Sequence, residues 1–306
     1  MTNKHLLYCP FTGLGKFNGF RGNSWLKNRI KIFKHFVVPS LLAQTNQNFT
    51  LWVSWRPEEK NNPQVKELFE WLDFRFPATE LAPFRVIFTY GGVCFWDDKY
   101  SDEEALSRLS VALHHSLPEL SMLIGEPENV LMTIQPSDDC FHSGMVEEVQ
   151  QLLSTEDYQA CGYRKGYVMR YATKELAEYN PLTIPPFFTI KFPLRKFVDR
   201  QSHLEYTGPY KSHEYIADKL KFADLPGRGF LVGTHGENIS TVFDHPFKGA
   251  DCPASVLKDF GIFDAEPLKT SQGLRRTILN SLPYRVRRKI RFWCSEKIPL
   301  LSFIVQ

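Results

Sequence analysis

Two adjacent carboxylates, Asp138 and Asp139, follow an apolar run, Val130-Leu-Met-Thr-Ile134, after only Gln135-Pro136-Ser137. One acid so placed can bind a divalent cation, and Mg²⁺ in particular takes one or two carboxylates and completes its octahedron with substrate phosphates. The other can position a ribose or a water. An Asp-Asp turn can equally cap the helix that the spacing predicts from Ser143 to Leu153. Two acids by themselves leave both readings open.

Other chemistries are excluded by spacing. The six cysteines, Cys9, Cys94, Cys140, Cys161, Cys252 and Cys294, contain no Cys-x-x-Cys pair, which argues against a zinc ribbon or a dithiol redox site. Free thiols in a reducing compartment are expected. Gly13-Leu-Gly15-Lys16 lacks the Gly-Lys-Ser/Thr ending of a phosphate loop and reads instead as a flexible loop. Of two notable histidines, His235 directly follows a predicted strand (Phe230 to Val232), whereas His245 precedes Pro246 and is held extended.

The elements that must position these groups alternate through the first half. Strands are predicted at Leu6–Phe11, Phe49–Trp55, Phe84–Tyr90 and Val130–Ile134, with helices at Trp25–Leu42 (interrupted by Pro39) and Asn62–Leu72. A capping box, Ser101-x-x-Glu104, opens a further helix to about His115. Strands separated by helices imply a mainly parallel α/β sheet covered on both faces, with ligands outside the carboxyl ends of its strands. The second half reads as antiparallel strands, Ala160–Tyr171 and Phe187–Phe192, joined by a Pro-rich turn at 181–186, with a short helix at Tyr215–Phe222. The expected organisation is a domain over 1–269, divided into halves at 1–155 and 156–269, and a basic tail over 270–306.

Composition agrees with an ordinary globular chain: 306 residues, 43% hydrophobic and 23% charged. No apolar run reaches the length of a bilayer span, and the N-terminal run before Pro10 is too short for a signal peptide, so a cytoplasmic protein is expected. The net charge of +3 hides a tail of +7 on a body of −4. Its basic residues mix with Leu, Ile, Phe and Trp, a composition suited either to the inner face of an anionic membrane or to folding back on the acidic body. The body offers no basic groove for nucleic acid.

The order strand, helix bearing Arg29, Pro39-Ser-Leu-Leu-Ala-Gln-Thr45, aromatic strand and later Ser137-Asp138-Asp139 resembles the GT-A class of nucleotide-sugar glycosyltransferases. It is similar above all to the rhamnosyltransferase-like family of bacterial polysaccharide enzymes, across roughly the first 150 residues. The resemblance implies a GT-A (Rossmann-like) fold and a DXD-type site that holds Mn²⁺ or Mg²⁺ through Asp138, Asp139 and a C-terminal His, here His235. It further implies a nucleotide diphosphate sugar donor and a glycan or lipid-linked glycan acceptor. The family pattern is commonly Asp-Ser-Asp-Asp, so Pro136 stands where the first acid is usual.

A diphosphate donor calls for cations and hydrogen-bonding groups at the strand ends. Arg29 and Arg56 suit the diphosphate, since guanidinium pairs bidentately with phosphate. Arg108 corresponds to a donor-contacting basic position of the family, Asp97 and Asp98 suit the base or ribose, and Ser137 and Asp138 complete the donor set. Trp55 and Trp96 offer stacking faces. An inverting transfer needs a carboxylate base, for which Glu214 and Asp199 are available; a retaining one does not. The same acids would serve a nucleotidyltransferase, and the missing first acid suits an inactive glycan-binding relative. Replacing Asp139, and to a lesser degree Asp138, is expected to abolish turnover and leave the fold intact.

Overall fold

In the computed structural model the first apolar run is strand β1 (Asn3–Cys9). The structure describes residues 2–12, 22–79, 84–91, 116–118, 120–199, 216–235, 238, 241–263, 266–268 and 286. Strands β2 (Thr50–Ser54), β3 (Val86–Thr89) and β4 (Asn129–Ile134) join β1 in parallel, in the spatial order β3-β2-β1-β4. The strand order reverses at β1 and β4, which makes the carboxyl ends of these two strands the switch point where such sheets bind ligands.

Six further strands extend the sheet: β5 (Cys140–Phe141), β6 (Ala160–Arg170), β7 (Glu175–Tyr179), β8 (Phe188–Pro193), β9 (Phe222–Thr234) and β10 (Lys248–Asp251). β8 runs antiparallel to β4 and to the start of β6, while β7 and then β10 continue from the far part of β6. The other edge of β6 takes β9 in parallel, and β9 in turn takes β5 antiparallel. The α/β class and the antiparallel pairing of β6 with β8 are thus as expected, whereas β9 is parallel to β6, and two connections also differ. β7 intervenes between β6 and β8, and the Pro-rich stretch leads from β7 into β8. Phe222 opens a 13-residue strand that already contains Phe230 to Val232, rather than closing a helix.

Both faces of the parallel strands are buried, as near-continuous apolar runs require. Leu7, Cys9, Leu51, Val53 and Leu131 enter one core; Leu6, Tyr8, Trp52, Val130 and Met132 enter the other. Helix α1 (Asn23–Ile32) passes through a π-helical turn (Phe33–Val37) into α2 (Val38–Leu42). Pro39 was expected to interrupt this helix. The path instead widens one turn earlier, which relieves the clash of the proline ring with the carbonyl of His35. Helix α3 (Pro63–Arg75) starts with Pro63 at its first position, and the Asn62 side chain accepts the Gln64 amide at 2.9 Å. Helix α4 (Met145–Thr155) follows β5. Among the described residues no helix is long and apolar enough to cross a membrane. The helix expected at 101–115 and nearly all of the basic tail lie outside the described residues.

His5, on β1, is buried between β4 and α4. Gln150 donates to its Nδ1 at 3.2 Å, so the ring presents an N–H from Nε2 to the Thr133 hydroxyl, 2.7 Å away. Burial lowers its pKa from 6.5 to about 3. The unfolded chain therefore binds a proton that the folded chain refuses, and this contribution to stability is lost as pH falls below about 6.5. His5→Gln is expected to flatten the loss of stability between about pH 6 and pH 4, read from urea midpoints of the two proteins. Parallel pH profiles would refute this assignment.

Candidate functional site

The loop after β4 is closed by its own side chain. Gln135 Nε2 donates to the carbonyls of Pro136 and Asp139, both at 2.9 Å, and β5 then pairs with β9 through Cys140 and Leu231. This folds Asp138 and Asp139 over the carboxyl ends of β1 and β4 and lays them against the end of β9. There the Gly233 N–H donates to Asp139 Oδ1 at 2.9 Å.

Asp138 is the hub. Its Oδ2 takes an ion pair from Arg29 Nη1, a hydrogen bond from His235 Nε2 at 2.9 Å and one from Asn238 Nδ2 at 3.5 Å. The Arg29 and His235 side chains are only 6% and 0% exposed, and Asp138 keeps 15%, so the carboxylate sits at the mouth of a buried cluster. Burial alone would raise its pKa. The Arg29 charge and the His235 contact outweigh burial and hold it well below the usual carboxylate range. Asp139 moves the other way: burial, and then repulsion from Asp138, push it well above its ordinary value. The adjacent acids are therefore pushed in opposite directions, Asp138 down and Asp139 up, as acids in contrasting environments are.

His235 is itself braced. Its backbone N–H donates to Asn238 Oδ1 at 2.8 Å, and Asn238 Nδ2 donates to the Gly233 carbonyl at 2.6 Å. Beneath the cluster, the Tyr171 hydroxyl donates to the Asp138 carbonyl at 2.7 Å.

The Pro39–Thr45 segment serves the same loop from the other side. Buried Gln44 donates to the carbonyls of Ser40 (3.0 Å) and His142 (2.8 Å), and its Oε1 accepts the Val146 N–H at 3.0 Å. It thereby satisfies a free amide in the first turn of α4 and ties α2 to the chain that leaves the acidic loop. Thr45 donates to Glu147 at 2.7 Å.

The sequence-derived candidates fall into three groups. Arg29, Asp138, Asp139 and His235 converge, and Ser137 lies buried beside them in the loop. Arg56 lies at the end of β2, where its Nε donates to the Thr12 carbonyl at 3.1 Å, joining the ends of β1 and β2. Asp97, Asp98, Arg108, Glu214 and Trp96 lie outside the described residues.

Asp199 requires correction as a base. β8 is antiparallel to β4, with Pro193 opposite Asn129, so the short helix α5 (Leu194–Phe197) and exposed Asp199 lie at the amino edge of the parallel strands. At about 3.3 Å per residue that is the length of β4 away from Asp138. Trp55 also requires correction: it is fully buried, stacked on Phe11 at 4.5 Å, and offers no free face. His245 accepts the Phe247 amide and packs edge-on against Tyr179, 5.6 Å away, in the β7–β10 region.

Tyr171, Gly233, Asn238 and Gln135 were given no site role from the sequence, although Gln135 opens the loop after β4 and Gly233 and Asn238 flank His235 in the segment read there as a C-terminal element. Asn238, three residues past His235, is the one of these with a local signal. Tyr171 and Gly233 look like ordinary strand-end residues until the strands are paired.

Among the described residues no three His, Cys, Asp or Glu side chains are placed together to hold a metal. What converges is one carboxylate and one imidazole nitrogen 2.9 Å apart, the carboxylate 15% exposed. That oxygen-and-nitrogen pair fits a cation whose remaining ligands come from a bound diphosphate. Arg29 supplies a second, permanent positive charge at the same oxygen.

A family described as "Putative rhamnosyl transferase" matches residues 20–74, the segment with Arg29, the Pro39–Thr45 motif and β2. No curated protein matches the chain. Among solved structures, S. aureus TarS 1–349 is 12% identical with a TM-score of 0.39, over 76% of this chain and 60% of its own. TarS 1–349 in complex with UDP-GlcNAc is 13% identical with a TM-score of 0.38, over 76% and 59%. A "putative nucleotide-diphospho-sugar transferase" from Desulfovibrio desulfuricans G20 is 12% identical with a TM-score of 0.31, over 74% and 80%. The chain spans about 60% of the length of the first TarS structure. Through the helix that carries Arg29 and the strand after it, the chain is similar to a family of rhamnosyl transferases.

Proposed function

We propose that the protein is a glycosyltransferase that takes a nucleotide diphosphate sugar as donor and a bacterial surface glycan or lipid-linked glycan as acceptor. The observation that carries this reading is the Arg29–Asp138–His235 cluster at the β1/β4 switch point. It is supported by the family match over 20–74, which covers the helix of Arg29.

Breaking a glycosyl–phosphate bond builds negative charge on the leaving diphosphate, and preorganised positive charge lowers that barrier. Arg29 is anchored through one nitrogen on Asp138, which orients its remaining donors. Its Nε is buried without a hydrogen-bond partner among the described residues. Asp138 and His235 would hold Mn²⁺ or Mg²⁺, which supplies Lewis-acid neutralisation of the diphosphate. Without the ion, His235 Nε2 donates to Asp138 and fixes the orientation of the carboxylate; to hold the ion, that nitrogen would give up its proton.

Thermal unfolding against a panel of sugar nucleotides, with and without Mn²⁺, tests the reading. Ligand at a hundredfold above Kd stabilises by about 2.7 kcal/mol, a readily measured shift. The expected result is a rise in Tm that needs nucleotide and Mn²⁺ together, is lost in His235→Ala and persists in His245→Ala. Stabilisation by no nucleoside diphosphate, or loss in His245→Ala instead, would overturn the assignment. Release of a nucleoside diphosphate rather than pyrophosphate distinguishes this reaction from nucleotidyl transfer.

A further inference from the structure

We propose that Tyr171 is the positioning residue that holds Asp138 and His235 in register, so that the two present a single binding pair. The proposal rests on the reading of that pair as the donor site.

Tyr171 is fully buried and touches all three chain segments that build the cluster. Its ring lies flat on Phe36, with centroids 3.8 Å apart and planes 2° apart, and Phe36 belongs to the π-helical turn that continues the helix of Arg29. Such turns are frequent at functional sites. The Tyr171 hydroxyl is spent on the backbone carbonyl of Asp138. On the third side the end of β9 lies against its ring: a Cβ at Gly233 would stand 2.1 Å from Tyr171 Cζ. The His235 ring, two residues further, is nearly parallel to Tyr171, at 14° and 6.4 Å. Backbone bonds complete the junction, since the Tyr171 N–H donates to the Thr234 carbonyl at 3.0 Å.

A phenylalanine would fill this space equally well, so packing does not explain the hydroxyl. The hydroxyl donates to the one residue whose carboxylate meets both Arg29 and His235, and it also lies 3.9 Å from the Cys140 thiol. Partners that orient binding side chains in this way typically change affinity or activity 10–100-fold when removed.

The test uses the full chain with ¹⁵N-labelled histidine, and Tyr171→Phe, which keeps the stacked ring and removes only the hydroxyl. The His235 ring signals, recorded without metal, are expected to shift and broaden, while the thermal midpoint moves little. Affinity for UDP in the presence of Mn²⁺ is expected to fall about tenfold or more. Phe36→Leu, which keeps the hydroxyl and removes its stacking partner, is expected to perturb the same His235 signals. Unchanged His235 signals in Tyr171→Phe overturn the positioning role. Asp138→Ala, measured in parallel, judges the underlying reading: UDP affinity indifferent to that change removes the donor site from here. Shifted His235 signals would still establish what Tyr171 does.

Discussion

Asp138→Ala is expected to abolish sugar transfer and to lower the unfolding free energy by about 3–5 kcal/mol, the cost of stranding one member of a buried ion pair. The stranded member is Arg29, whose side chain is 6% exposed. The change also takes from His235 Nε2 its carboxylate partner. Urea unfolding measures the first effect and release of nucleoside diphosphate the second. Restoring neutrality with Arg29→Met in the Asp138→Ala background is expected to recover much of the stability and none of the activity. Recovery of both would show the cluster to be purely structural. The expectation that these acids could be replaced without cost to the fold does not survive their burial. From this geometry Asp138→Ala is expected to be the more damaging of the two changes, the reverse of the order expected from the sequence. Burial and the neighbouring Asp138 push the Asp139 carboxyl up, and its Oδ1 accepts from Gly233, so an amide at that position can keep the same acceptor.

Gly233→Ala is expected to have the second-largest effect. The new methyl would stand 2.1 Å from the Tyr171 ring, which is stacked on Phe36 and tied to the Asp138 carbonyl, so it has nowhere to move. Overpacking of a filled core costs about 1–3 kcal/mol, and here the strain falls on the residue that bonds Asp139 and precedes His235 by two. A lowered Tm together with loss of Mn²⁺-dependent nucleotide binding is expected. Gly227→Ala is the control. Its φ of +75° gives a backbone cost of about 1–2 kcal/mol, but nothing lies within 4 Å of the added carbon, so donor binding is expected to persist. Normal nucleotide binding by Gly233→Ala would show that the end of β9 does not shape the site.

Much of the frame was legible in the residues. Apolar runs such as Val130–Ile134, buried on both faces, can only be interior strands, and their alternation with helical spacing makes the sheet parallel. That places Asp138 at a carboxyl end from local information alone. Arg29 and the Pro39–Thr45 segment were legible as a motif, although Gln44 proved to bind backbone across the core to His142 and Val146.

What only the tertiary structure decided depends on pairing between distant segments. Local spacing carries no record of which strands lie side by side. Asp199 looked as available as any acid until the antiparallel register of β8 with β4 carried it to the opposite edge. Trp55 looked like a stacking platform until Phe11 covered it. The opposite pushes on Asp138 and Asp139 are likewise invisible in two identical neighbouring letters. They arise because an arginine 109 positions earlier and a histidine 97 positions later are folded against one carboxylate and not the other. Electrostatics in a buried site acts over a few ångströms, and those ångströms are set by β1, β4 and β9 meeting, not by the order of residues along any one of them.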